Sequence, residues 1–469
     1  MSVAHRPLSF AAALALLVSG AGCATREAPP PGVIVPPTPI GSIDASSSHW
    51  RAISRVGAPP PGTYQVEWTA RGLVVLSRNG AGGIYDPYKD AWRAVVIGPG
   101  TPAELPLPAA VSEGSILYTG NMRHTVVPRA LDLASATWRA IPEAPAGSPI
   151  YPASAWTGST LFVWGGSTTA PNGAPTGDTG DGAILDVASG AWRSVAREGA
   201  PSPRARPAAR WTGSAFFVWG GVSRENGTGL HCSGAGAVEG CVRHADGALY
   251  DPVREQWSEI PAEGAPPLLR DPRILWTGSV VLLWDQAVST SPTTLYAYDP
   301  PARRWRAPLV MPVAYTGSRV GVSGGRVIFL DQTGGHTLDV DAKVFSPVRL
   351  PEDIRDCWPA ATLLFEAARL VVISPARCHG GTLAVSAFDP RHGTWKTASL
   401  PPVPRREPTA GVFNGQLAWT GEHLIAWGDA YQYLGPDTSC LNPPNHMGCD
   451  PVGPSLVPSN EGYILRPSL

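Results

Sequence analysis

The residues best suited to chemistry in this chain are arginines, carboxylates and cysteines gathered in irregular stretches. Arg204, Arg206 and Arg210 fall close together, Arg270 and Asp271 are followed by Arg273, and Arg405, Arg406 and Glu407 are consecutive. Guanidinium groups so placed can grip a carboxylate or a sulfate through paired N–H donors. The plainer reading is a solvated rim. Asp178 and Asp181, in Asp178-Thr179-Gly180-Asp181-Gly182, put two carboxylates in a Gly-rich loop that could hold Ca²⁺. Their spacing misses the regular Ca²⁺ loop, and an acidic turn explains them more simply. Trp358, beside Cys357, has a claim to ligand contact. No set of residues identifies a catalytic acid, base or nucleophile, so none is assigned.

Six cysteines, Cys232, Cys241, Cys357, Cys378, Cys440 and Cys449, form three sequence-local pairs, and the first and last pairs share a separation of nine. As disulfides each would contribute about 2–3 kcal/mol through loop-closure entropy. His231, His379 and His446 lie nearby, but no CxxC or HxxxH spacing occurs, so zinc is not expected and no cofactor is called for. Disulfides need an oxidising compartment, and the N-terminus agrees. Leu8 to Val18 is an apolar run of 11 behind Arg6, followed by Gly20-Ala21-Gly22-Cys23. This is a signal-peptide layout, too short to span a bilayer. The small residues before the cysteine resemble a bacterial lipobox, with Gly20 where Leu is usual. The resemblance implies that residues 1–22 are removed and that Cys23 is lipidated; simple secretion with cleavage near Cys23-Ala24 is the alternative. Residues 23–48, rich in Pro, Ala and Ser without periodicity, read as a tether to a cell-envelope membrane.

Composition narrows the classes further. With 36 basic and 37 acidic side chains the chain has no electrostatic footprint for nucleic acid or an anionic membrane surface. Lys89, Lys343 and Lys396 are the only lysines, an arginine bias with no functional reading in the sequence. Gly (52) and Pro (51) are frequent enough for a disordered chain, yet 43% hydrophobic residues and 17 Trp exclude disorder. The expectation is a folded, turn-rich protein with little helix.

The tryptophans follow a repeat. Trp156-Thr157-Gly158-Ser159 through Trp164-Gly165-Gly166 returns as Trp211-Thr212-Gly213-Ser214 through Trp219-Gly220-Gly221, and again from Trp276 to Trp284 and from Trp419 to Trp427. Degenerate copies lie at Trp68 to Leu76, Val111 to Thr119, Gly321 to Phe329 and Leu364 to Val372, which makes eight hairpins. Behind seven of them comes a second element: an apolar residue, Asp, a turn, and an aromatic residue seven positions after the first. The pairs are Tyr85/Trp92, Leu131/Trp138, Leu185/Trp192, Tyr250/Trp257, Tyr298/Trp305, Leu338/Phe345 and Phe388/Trp395.

Each unit therefore reads as four short strands, a and b joined by a Thr-Gly turn, c and d joined by the Asp turn. The d-strand aromatics recur every 40 to 65 residues. Four-stranded units at that period predict an all-β propeller of eight blades, or seven if one degenerate unit is an insertion. Gly462 to Leu465 supplies the eighth strand c but no strand d follows. His49-Trp50-Arg51-Ala52-Ile53 resembles a d strand, so the N-terminal strand is expected to complete the last blade and close the ring.

An apolar strand ending in di-glycine, followed by Tyr and then Trp, resembles kelch repeats, and the resemblance covers residues 49–469. It implies the fold and says little about activity. Only Gly165-Gly166 and Gly220-Gly221 keep the di-glycine. Sixteen of the Trp are then packing residues. The b-to-c and d-to-a connections share one face, and the long loops Ser167 to Ala183, Val222 to Gly247 and Ala430 to Glu461 all belong to it. This long-loop face is the expected binding surface, for a protein or a glycan, on an exported monomer. Among kelch-like enzymes, a copper-radical oxidase would need a spare Cys and a sialidase would need Asp boxes. A sialic-acid mutarotase type needs only an acid/base pair and an anion-binding Arg, and stands as the alternative beside a purely structural envelope role.

Overall fold

The computed structural model describes residues 49–467, apart from 61–63, 99, 103–107, 119–127, 146, 148, 170–174, 225–239, 271, 286–291, 316, 318, 375–382, 404–415, 429, 432–455 and 458–461. The chain forms eight antiparallel blades of four strands each, and blade 5 carries a fifth short strand, Leu309–Val310, on its strand c. Blade 1 is Tyr64–Thr69, Gly72–Ser77, Gly82–Asp86 and Ala91–Ala94, and blade 4 is Ala208–Trp211, Phe216–Trp219, Gly247–Asp251 and Gln256–Glu259. The degenerate hairpins of blades 2, 6 and 7 each complete a four-stranded sheet, so the count is eight. Blade 8 joins Gln416–Trp419, Leu424–Trp427 and Gly462–Leu465 to an outer strand, Arg51–Ala52. There Arg51 lies opposite Ile464, and Ala52 opposite Tyr463. Strand a of blade 8 also touches strand a of blade 1. The fold is thus an eight-bladed β-propeller closed by its N-terminal strand. The one α-helix among the described residues is a single turn, Glu352–Asp356, which runs into a 3-10 turn at Trp358–Ala360 between blades 6 and 7.

The seven spaced pairs become seven direct cross-strand neighbours, from Tyr85 opposite Trp92 to Phe388 opposite Trp395. The intervening Asp makes this register. Its carboxylate accepts backbone N–H groups two and three residues on, as at Asp251 with Val253 (2.8 Å) and Arg254 (3.0 Å). The residue four places after the Asp is left-handed in all seven turns: Asp90, Ala136, Gly190, Glu255, Arg303, Lys343 and Gly393. Backbone donors first hold the Asp186, Asp251 and Asp339 carboxyls below the usual carboxylate range. At Asp132 and Asp299 partial burial opposes the shift, and the turn donors outweigh it.

The b-strand tryptophans Trp164, Trp219, Trp284 and Trp427 are at most 2% exposed and fill the blade interiors. Three of them face a glycine across the sheet: Trp164 opposite Gly182, Trp219 opposite Gly247 and Trp427 opposite Gly462. A Cβ on Gly247 would sit 2.8 Å from the Trp219 ring, so the indole occupies the space a side chain would need.

The d-strand tryptophans knit blades together. Trp92 donates Nε1–H to Ser54 O (2.7 Å), Trp192 to Pro142 O (2.8 Å), Trp257 to Ala196 O (2.6 Å) and Trp305 to Pro261 O (2.8 Å), in each case an exit segment of the preceding blade. Where arginine follows the tryptophan it reaches the other way. Arg93 donates to Leu133 O, Arg139 to Val187 O, Arg193 to Pro252 O and Arg306 to Asp341, all in the Asp turn of the next blade. Part of the arginine bias is therefore structural. Each Trp-Arg dipeptide clasps its outer strand to both neighbours.

Candidate functional site

Three of the b-to-c loops carry a small two-stranded ribbon. They are Ser167–Thr169 with Pro175–Asp178 on blade 3, Val222–Arg224 with Cys241–Arg243 on blade 4, and Ala430–Tyr431 with Leu456–Val457 on blade 8. These are the three long loops read from the sequence. Because each blade is an a-b-c-d meander, all three ribbons leave the same face of the ring.

The di-glycines root two of these ribbons. Gly166 (φ +102°) and Gly221 (φ +103°) take a backbone conformation that L side chains rarely adopt. A Cβ there would lie 2.8 Å from Ile150 O or 2.9 Å from Ala205 O. The close approach lets Ser167 and Ile150 exchange two hydrogen bonds, and Val222 and Ala205 do the same. The residues after Ile150 and Ala205 are Tyr151 and Arg206, both left-handed without being glycine (φ +58° and +56°). Arg206 N donates to Tyr151 O at 2.8 Å, and its guanidinium lies 3.8 Å over the Tyr151 ring. The exposed Arg206 and the half-buried Tyr151 thus stack on a strained backbone.

Arg204 is different. It is 1% exposed and donates to both carboxylate oxygens of Asp246 (2.7 and 3.1 Å), to Ser202 O and Oγ (2.8 and 2.7 Å) and to Gly220 O (3.3 Å). Its donors are consumed inside the blade. Asp246 in turn lies beside His244, with Nδ1 to Oδ1 at 3.7 Å, and His244 Nε2 is 2.9 Å from Ser223 Oγ. Burial, and then Arg204, hold the His244 imidazole below its ordinary value against the opposite pull of Asp246 and Asp178. The ring is therefore biased towards its neutral form.

The other residues singled out in the sequence are distributed as follows. Arg210 stitches inner strands, donating to Ile274 O of blade 5 at 3.1 Å. Arg270 is exposed; its N–H donates to Asp285 at 3.0 Å and its carbonyl accepts from Arg243 at 3.0 Å. Arg273 is the second residue of strand a of blade 5, opposite Trp284, and is half-buried. Trp358 is 8% exposed and packs against Ile354, Leu350 and Phe365, with the Arg319 guanidinium 4.7 Å above its ring. Asp178 accepts Ser167 Oγ (2.8 Å) and Arg224 N (2.9 Å), while Asp181 pairs with Arg197. Among the described residues no group of three or more His, Cys, Asp and Glu is placed to hold a metal ion. Asp271, Arg405, Arg406, Glu407, Cys23, Cys232, Cys378, Cys440 and Cys449 lie outside the described residues.

No family model matches the sequence. No curated protein matches it either. Among solved structures, YjhT is similar at 15% identity and a TM-score of 0.36, over 62% of this chain and 98% of that chain. A likeness this loose carries no argument about function.

The sequence reading missed Ser223, Arg224, His244 and Asp246. Ser223 and His244 are 21 residues apart and meet only because the blade 4 ribbon folds back on itself. The available signal was the repeat itself, which marked this loop as an insertion.

Proposed function

We propose that this protein is an exported, lipid-anchored propeller of kelch type that binds a protein or glycan through its long-loop face, without catalysis. The observation that carries the reading is the concentration of elaboration on that face. The other face has short turns built alike, with Thr157, Thr212, Thr277 and Thr420 each closing a Thr-Gly turn through its hydroxyl. The long-loop face has three ribbons and the strained Arg206-Tyr151 stack. Loops raised on a rigid scaffold are where recognition is built.

The export reading rests on residues 1–22 as a signal peptide, Cys23 as the lipidated residue and 23–48 as the tether. It goes together with the cysteines, for Cys241 and Cys357 are proposed to be disulfide-bonded. Their proposed partners, Cys232 and Cys378, and the Cys440/Cys449 pair belong to the same proposal. A second reading, a carbohydrate-active enzyme, draws on one feature: His244, biased towards its neutral form, beside Ser223 and Asp246.

The experiment is a screen of residues 24–469 against glycan and peptide arrays, with and without EDTA. Saturable binding that weakens in Arg206→Ala supports the binding module. Sugar binding followed by turnover that is lost in His244→Gln overturns it in favour of the enzyme. For the anchor, radiolabelled palmitate incorporated by the full chain but not by Cys23→Ala is the expected result, and no label in either overturns it.

A further inference from the structure

Arg224 ends the first strand of the blade 4 ribbon. It is 8% exposed, as is Val222, two residues before it. On the other side of the ribbon Val242 is 42% exposed. Side chains alternate along a strand, so Val222 and Arg224 turn inward with Arg243, which stands opposite Val222. Arg224 thus carries a permanent charge into the protein, as Arg204 does. Arg204 has Asp246; among the described residues the Arg224 guanidinium has no hydrogen-bond or ion-pair partner, and its Nε is enclosed without an acceptor. Asp178 does not serve, because it accepts the Arg224 backbone N–H (2.9 Å) and Ser167 Oγ (2.8 Å) without pairing with the side chain.

A buried guanidinium with no counter-charge paired to it among the described residues is unfavourable unless something supplies one. Arg243, on the same side of the ribbon, adds positive charge. We propose that Arg224 is an anion-binding residue whose occupant is the carboxylate of an acidic ligand. With Nε sealed, the ligand meets the guanidinium at its Nη end, where a planar carboxylate matches two parallel N–H donors. This rests on the long-loop face as the binding surface and names the group that the face recognises.

The test is thermal unfolding of residues 24–469 at fixed ionic strength, titrating sodium acetate, a uronic-acid disaccharide or sodium chloride. Acetate is expected to raise Tm saturably, by about 1–2 °C at a tenfold excess over Kd, and chloride is not. A larger response to the disaccharide assigns the carboxylate to a sugar, and an equal response assigns it to a free small acid. Arg224→Met is expected to raise Tm in carboxylate-free buffer and to abolish the acetate response, and Arg224→Lys to weaken it. No acetate response in the unsubstituted protein overturns the proposal even if Arg224→Met does not fold. So does an acetate response that survives in Arg224→Met. Array binding retained without any acetate response sinks this inference and leaves the long-loop face standing. An Arg224-dependent acetate response with no array ligand does the reverse.

Discussion

Trp50 donates its indole N–H to Pro401 O at 2.7 Å, joining residues 351 positions apart in the chain. Trp50 belongs to the segment that completes blade 8, and Pro401 to the exit of blade 7. Its neighbour Arg51 pairs with Asp90 of blade 1 at 3.5 Å. One dipeptide therefore bridges the seam in both directions, as the other Trp-Arg pairs do within the ring. Trp50→Phe is expected to cost about 1 kcal/mol for the lost hydrogen bond, and Trp50→Ala more than that but less than the loss of a fully buried tryptophan. Hydrogen exchange should show the excess opening in strand c of blade 8 and not in blade 4. Uniform exchange across both blades would mean that the seam is not the weak point.

Left-handed residues that are not glycine offer stabilising substitutions. Glu255, Arg303 and Lys343 occupy the place that Gly190 and Gly393 fill in other turns. Lys343→Gly should relieve about 1 kcal/mol of backbone strain, offset in part by unfolded-chain entropy. A small rise in Tm is expected from Lys343→Gly and a fall from Gly393→Val. Calorimetry on the two variants checks the pair.

The ribbon roots should be intolerant. Gly221→Ala places a Cβ 2.9 Å from Ala205 O on a backbone with φ +103°. A loss of about 2 kcal/mol is expected, with protease cleavage in the blade 4 ribbon increasing before global unfolding. Gly213→Ala has positive φ but open space around the Cβ, and should cost less.

The Arg204–Asp246 pair should respond asymmetrically. Asp246→Ala leaves a guanidinium at 1% exposure with only Ser202 and Gly220 as partners, whereas Arg204→Met leaves a carboxylate that already meets water at 60% exposure. Asp246→Ala is expected to cost about 2–3 kcal/mol, below the range for a fully buried pair, and Arg204→Met less. Urea unfolding of both variants would expose the opposite order if the pair acts mainly through packing.

Acid should weaken the fold in two stages. His244, His336 and His423 have folded values held down, first by burial, so their contribution is complete above the unfolded value of about 6.5 and falls as protons bind below it. The depressed carboxyls of Asp186, Asp251 and Asp339 contribute fully above about pH 4, and that contribution is lost as pH drops through their lower folded values. Tm should begin to fall near pH 6.5 and fall more steeply below pH 4. In Asp339→Asn the steeper limb should flatten.

Sequence spacing carried the blade register because its determinants are local: an Asp that caps the turn and a left-handed residue four places later, at Ala136 as much as at Gly190. The closing strand was legible for the same reason, since Trp50-Arg51 repeats the pattern of Trp138-Arg139. The reach of those tryptophans was hidden because their acceptors are backbone carbonyls such as Pro142 and Pro261, which any residue could provide. The arginines were the hardest to judge. Arg204, Arg206 and Arg210 sit together in the chain, yet one is buried on Asp246, one stacks on Tyr151 and one ties two inner strands. Burial separates them, and burial is set by ribbons whose presence the repeat marked only as long loops.

The seam in blade 8 also dictates when the ring can form. Arg51 and its partner Ile464 are separated by about 410 residues of chain, so their pairing closes a far longer loop than any pairing inside a single blade. Seven blades can assemble while the opening segment stays unpaired. Closure is then the last event of folding, and a chain that stopped short of it would be left as an open arc with two adhesive edges.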